Sequence, residues 1–135
     1  MTKIRVLTFG AISAIVTLAW ALPATAHKTA AKGTTVTVLA GKPSEFSFKL
    51  STKTVPHGTV TFKVTDKGTI PHTFKVCSSS KGGAANTCAG KATAVISPGG
   101  SATLTVTFKT AGTYEYLCTL PAHALAGQKG DIKVT

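Results

Sequence analysis

Apolar and polar residues alternate with a period of two over most of the chain after residue 33, the pattern of strands buried on one face only. The alternation predicts strands at Thr35 to Leu39, Glu45 to Leu50, Thr59 to Thr65, His72 to Val76, Ala92 to Ile96, Ala102 to Lys109, Thr113 to Cys118 and Asp131 to Val134. These runs are rich in Val, Thr and Phe. Between them lie Gly41-Lys42-Pro43, Pro56-His57-Gly58, Asp66-Lys67-Gly68, Pro98-Gly99-Gly100 and Ala111-Gly112, which supply turn conformations. About eight short strands with regular turn signals and no helical period predict an all-β sandwich or barrel. Parity assigns Val60, Phe62 and Val64 to one inward face and Leu104, Val106 and Phe108 to another. No internal repeat or second domain is visible.

The N-terminal segment follows a different rule. Lys3 and Arg5 precede an uncharged run from Val6 to Leu22, then Pro23 and Ala24-Thr25-Ala26, which is the order of a secretory presequence with a small-x-small cleavage site. The expected organisation is a signal peptide over 1–26, a small, polar, basic lead over 27–33 and one domain over 34–135. An uncleaved anchor is the alternative, since the run approaches the roughly 17 to 25 residues that span a bilayer. No cysteine follows the run closely enough for a lipid anchor. Cleavage predicts a secreted or cell-envelope protein with no stable membrane insertion.

Fifteen Lys and Arg face four Asp and Glu, a formal net charge of +11. Such a balance admits nucleic acid, an anionic surface or an acidic protein as partner. Arg5 is the only arginine, however, and it falls in the presequence. Without the planar guanidinium fork, and with lysines scattered among strands, nucleic-acid binding is not expected. Most of these lysines solvate outer strand faces; an acidic protein partner remains the reading for the rest.

Parity turns this scaffold toward chemistry. His72 aligns with the apolar Phe74 and Val76, and Cys118 aligns with Tyr114 and Tyr116, so both point inward from strands able to lie side by side. A lone inward cysteine is commonly a small hydrophobe. Here Cys118-Thr119-Leu120-Pro121-Ala122-His123 and then Gln128 put a thiolate, an imidazole and a weak oxygen donor on one loop. With His72 this makes a His2Cys set, the donor combination of a trigonal copper site with a long axial ligand, and one ion is expected. Zinc could occupy the same donors. A Cys118 nucleophile with His123 as base lacks an orienting acid and an evident oxyanion hole. His57 reads as an exposed turn residue, and His27, the expected mature N-terminus, has no visible partner histidine.

Three cysteines leave one over after pairing. Cys77 and Cys88 flank a Ser, Gly, Ala and Asn-rich loop and are the natural disulfide in an oxidising compartment. Cys118 is then the free thiol. Pairing of either with Cys118 would remove the thiolate from the metal set.

The stretch from Cys118 through Pro121 and His123 to Gly127 and Gln128, with Gly68-Thr69-Ile70-Pro71-His72-Thr73-Phe74 upstream, resembles small cupredoxins of the plastocyanin and azurin type, especially exported bacterial members. The resemblance covers nearly all of the chain after residue 33 and implies a Greek-key β-sandwich with copper on His72, Cys118 and His123 and an axial place for Gln128. Two departures stand out: Ala122 replaces a frequent Gly, read as a small steric change, and Gln128 replaces the usual Met. The implied function is one-electron transfer, not enzymatic catalysis; the alternative is a module that buffers or delivers copper. Leu120, Pro121, Ala122, Ala124 and Leu125 form an apolar rim about His123 for brief docking, and a monomer is expected.

Overall fold

In a computed structural model, which describes residues 33–79 and 88–135, the alternation becomes nine strands and, among the described residues, no helix. The expected presequence, most of the basic lead and much of the segment between Cys77 and Cys88 lie outside the described residues. The strands are β1 (Thr34–Ala40), β2 (Phe48–Leu50), β3 (Thr54–Val55), β4 (Gly58–Asp66), β5 (Lys75–Cys77), β6 (Gly90–Ala92), β7 (Ser101–Phe108), β8 (Gly112–Leu117) and β9 (Lys129–Val134). One sheet has the order β2-β1-β4-β7 and the other β3-β9-β8-β5-β6.

Register explains how two sheets seal one core. In the first, Val36, Phe62 and Leu104 come level across β1, β4 and β7, as do Val38, Val64 and Ala102 across the same strands. Alternate positions carry Thr35, Thr61 and Thr105, or Thr37, Lys63 and Thr103, outward. The inward side chains meet Phe74, Val76, Tyr114, Tyr116 and Ile132 of the second sheet, and the parity assignments of β4 and β7 hold throughout. Phe48, Phe62, Phe74 and Tyr116 cluster with ring centroids 5.1 to 5.9 Å apart. Each such side chain contributes about 1.5–3 kcal/mol by leaving water.

Differences from the expected elements concentrate at strand ends. Glu45, Phe46 and Ser47 form a turn before β2, because the Ser47 hydroxyl donates to Ser44 O and accepts from Ser44 N–H. His72 makes only an isolated bridge with Ile96, and β6 stops at Ala92, short of the predicted Ile96. The two-residue β3, parallel to β9, is too short to show a period. Cys118 sits one residue beyond β8. Both ligand candidates thus leave their strands where backbone direction is free to change.

Candidate metal centre

The centre lies where β1 and β4 end, β8 ends, and β5 and β9 begin. Pairing of Lys75 with Leu117 brings the segment before β5 beside the segment after β8. Thr73 then couples them: its N–H donates to Cys118 Sγ at 3.4 Å, and its Oγ1 accepts from Thr119 N–H at 2.7 Å. The loop from Cys118 folds back through successive turns. Cys118 N–H donates to Gln128 O at 3.0 Å, Gln128 N–H to His123 O at 3.0 Å, and Ala126 N–H to Ala122 O at 2.9 Å. Tight return of this loop demands a left-handed residue, and Ala122 supplies it at φ 67°. The replacement of glycine there is a conformational cost of about 1–2 kcal/mol and not the small steric change expected.

One ligand atom from each of His72, Cys118 and His123 lies within 4.8 Å of the others. His72 and Cys118 are fully buried, and the His123 ring is partly exposed. Cys118 Sγ is 3.5 Å from His123 Nδ1, which is 3.1 Å from Gln128 Oε1. Gln128 is itself fully buried, its amide N–H reaching Glu45 O at 3.5 Å. The sequence-predicted donors therefore converge.

His72 provides the test of fit. Its Nε2 lies 3.0 Å from Glu45 Oε1, whereas its buried Nδ1 has no hydrogen-bond partner among the described residues. A stranded polar atom costs about 1–3 kcal/mol. Here it belongs to a residue that offers one ligand atom within 4.8 Å of the other two donors, and a metal ion would satisfy it. One soft thiolate and two imidazoles fit copper.

Glu45 was not singled out from sequence. Its carboxylate accepts from Thr69 N–H at 2.9 and 3.0 Å, from Thr69 Oγ1 at 2.9 Å and from Ile70 N–H at 3.3 Å. The Thr69 backbone N–H is the chief cause that lowers its pKa to about 2, against partial desolvation, with further help from the Thr69 hydroxyl, His72 and Ile70 N–H. Its rarity was the available signal: Glu45 is one of four acids in a strongly basic chain. Thr73, adjacent to His72, carried none beyond position.

The disulfide Cys77–Cys88 forms and leaves Cys118 free, as expected. Cys77 packs with Leu117 and Ala124 beneath the ligand loop. Ala124 is accordingly only 2 % exposed and cannot contribute to the docking rim, and Leu120 is half-buried against the main core. Pro121, Ala122 and Leu125 are exposed. Phe46, absent from the expected rim, joins them, its ring 5.1 Å from that of His123 in an edge-on contact. The period-two reading had placed it in a strand. His57 lies in an exposed turn, with Nδ1 3.1 Å from Thr135 O.

Known proteins give the same answer. Residues 25–135 match the copper-binding proteins of the plastocyanin/azurin family. Auracyanin-B of Chloroflexus aurantiacus is 46% identical over 43 residues, a match that spans 32% of this chain and 18% of that relative. The auracyanin B structure superposes with TM-score 0.63 at 26% identity, covering 76% of this chain and 88% of that one. Dithionite-reduced auracyanin from Roseiflexus castenholzii gives 0.55 at 30% identity, covering 76% and 98%. Rusticyanin from Thiobacillus ferrooxidans gives 0.58 at 27% identity, covering 75% and 76%. With a two-sheet fold, a convergent His2Cys set suited to one copper ion, and a family match across most of its length, the chain belongs to the plastocyanin/azurin family of copper-binding proteins.

Proposed function

We propose that the protein is an exported one-electron carrier whose copper is held by His72, Cys118 and His123, with Gln128 Oε1 as a weak axial donor. The observation that carries this reading is the convergence of one ligand atom from each of His72, Cys118 and His123 to within 4.8 Å of one another, at a His72 whose buried Nδ1 has no hydrogen-bond partner among the described residues. Bound copper supplies a Cu(I)/Cu(II) couple. The polypeptide supplies rigidity: Thr73 ties the two ligand segments together, and the loop bonds between Cys118, His123 and Gln128 hold three donors in register. A preformed, enclosed donor set limits rearrangement between oxidation states, which suits electron transfer over bond-making. An amide oxygen is a harder donor than a thioether and favours Cu(II), so the potential should lie below that of a Met-ligated counterpart.

Electrons would enter and leave at the partly exposed edge of His123. Leu125, 82% exposed, with Phe46, Pro121 and Ala122, gives this edge a small apolar rim for brief docking. Lys129, exposed and next in sequence to Gln128, and Lys42, exposed and next to Gly41, favour an acidic redox partner. Addition of Cu(II) to the metal-free protein should produce an intense thiolate-to-copper visible band, and voltammetry should give a reversible one-electron wave. A band without a reversible wave would favour the copper-buffering alternative; no band would refute the copper assignment.

A further inference from the structure

At Nε2 of His72 the chain places two of its four acids. Glu45 Oε1 is 3.0 Å and Asp66 Oδ1 4.0 Å from His72 Nε2. Two glycines keep that space open. A Cβ on Gly68 would collide with Glu45 Oε1 and come within 2.8 Å of His72 Nε2, and a Cβ on Gly41 would collide with Gly68 Cα. Both backbone and side-chain donors of the segment before His72 converge on Glu45, so its position is fixed independently of the metal.

We propose that Glu45 is a positioning residue for the copper couple: its carboxylate selects the tautomer and ring orientation of His72 and lends the ligand negative charge that favours Cu(II). An ionised carboxylate can only accept, so the 3.0 Å contact requires the imidazole proton on Nε2. Nδ1 then keeps a bare lone pair, in agreement with its lack of a hydrogen-bond partner. A carboxylate behind a metal-bound imidazole raises ligand basicity and restrains its ring. Because the added charge interacts more strongly with Cu(II) than with Cu(I), it acts in the same direction as an axial Gln128. Among the described residues no carboxylate is hydrogen-bonded to the His123 ring, whose Nδ1 lies near Cys118 Sγ and Gln128 Oε1 and whose edge meets Phe46, so the two histidines are unequal by construction.

This inference rests on the copper reading of the same centre, and its first test needs no metal. Nitrogen NMR of the copper-free full-length protein should show His72 protonated at Nε2 with slow proton exchange. In Glu45→Ala that exchange should become fast, and copper affinity should fall about 10–100-fold. Glu45→Gln keeps an acceptor but loses the charge, so it should retain the Nε2–H and shift the Cu(II)-over-Cu(I) preference about tenfold toward Cu(I), a rise of ~59 mV. Thr69→Val, which removes one donor to Glu45 and leaves the charge, should stay at the parent potential. An Nδ1-protonated His72 in the metal-free parent, a Glu45→Gln potential equal to the parent's, or a Thr69→Val shift as large as that of Glu45→Gln would overturn the proposal. Failure of the parent to develop the visible band would strike the copper reading and with it the effect on the couple, and the metal-free His72 tautomer would then separate that failure from a failure of Glu45 to position the ring.

Discussion

The β2-β1-β4-β7 sheet and the ligand end of the sandwich bury comparable side chains by different rules. From Val60 to Val64 in β4 and from Leu104 to Phe108 in β7, every second residue is apolar and enclosed, while the other face carries Thr and Lys in contact with water. At the ligand end, burial follows no period: Asp66, His72, Thr73 and Gln128 are the buried polar residues among those described, and all lie there. Two of their atoms, His72 Nδ1 and Asp66 Oδ2, lack hydrogen-bond partners. A strand face can be filled by any apolar residue of suitable volume, so its energetics are distributed. A buried polar cluster depends on particular partners, and one substitution there changes chemistry before it changes the fold.

The largest test of this contrast is Cys118→Ser, which should abolish the intense visible band obtained with Cu(II) while near-native far-ultraviolet dichroism persists; retention of the band would exclude Cys118 as the ligand. On the sheet side, Phe62→Ala should lower unfolding free energy by about 3–5 kcal/mol, read by denaturant titration of the copper-free protein. A loss below ~1 kcal/mol would mean that Phe62 is not central to the core. Replacement of both Cys77 and Cys88 by alanine opens the link of sequence separation 11 beneath the ligand loop, and should cost roughly 3 kcal/mol in the same titration. Gln128→Met should leave stability near the parent and raise the reduction potential by at least ~59 mV, a tenfold change in relative affinity. If Gln128→Met and Gln128→Ala both match the parent in spectrum and potential, Gln128 is no ligand. The smallest expected effect is Ala122→Gly, which relieves the left-handed strain and should stabilise the protein by about 1 kcal/mol without moving the visible band.

Docking offers an independent comparison of the two faces. Leu125→Glu should slow electron exchange with an acidic partner several-fold, and rising salt should weaken association of the parent, whereas Thr105→Glu on the far sheet face should matter little. Equal slowing by both would place the docking surface elsewhere.

The alternation in β1, β4, β7 and β8 was legible because each half-buried strand repeats one local decision every two residues. The ligand loop was legible for a different reason: Cys118, His123 and Gln128 are close along the chain, and their chemical types are informative at that spacing. Glu45 escaped notice because its hydrogen bond to His72 joins residues 27 positions apart, and because a turn set by Ser44 and Ser47 looked like the start of a strand. Ala124 was misassigned to the surface since small apolar residues suit either a rim or a buried contact, and only packing on Cys77 and Leu117 decides.

The amino-acid sequence by itself determined the β-class, the inward faces of the long strands, the pairing of Cys77 with Cys88 and the choice of His72, Cys118 and His123 as the residues whose donor atoms converge, all consequences of short-range period or of donor chemistry. Tertiary structure decided which nitrogen of His72 is left free, that Glu45 and Asp66 stand behind it, that Ala122 turns left-handed and that Phe46 shares the surface with His123. Those outcomes depend on distances between segments far apart in the chain, where angstrom-scale placement decides whether a polar atom finds a partner.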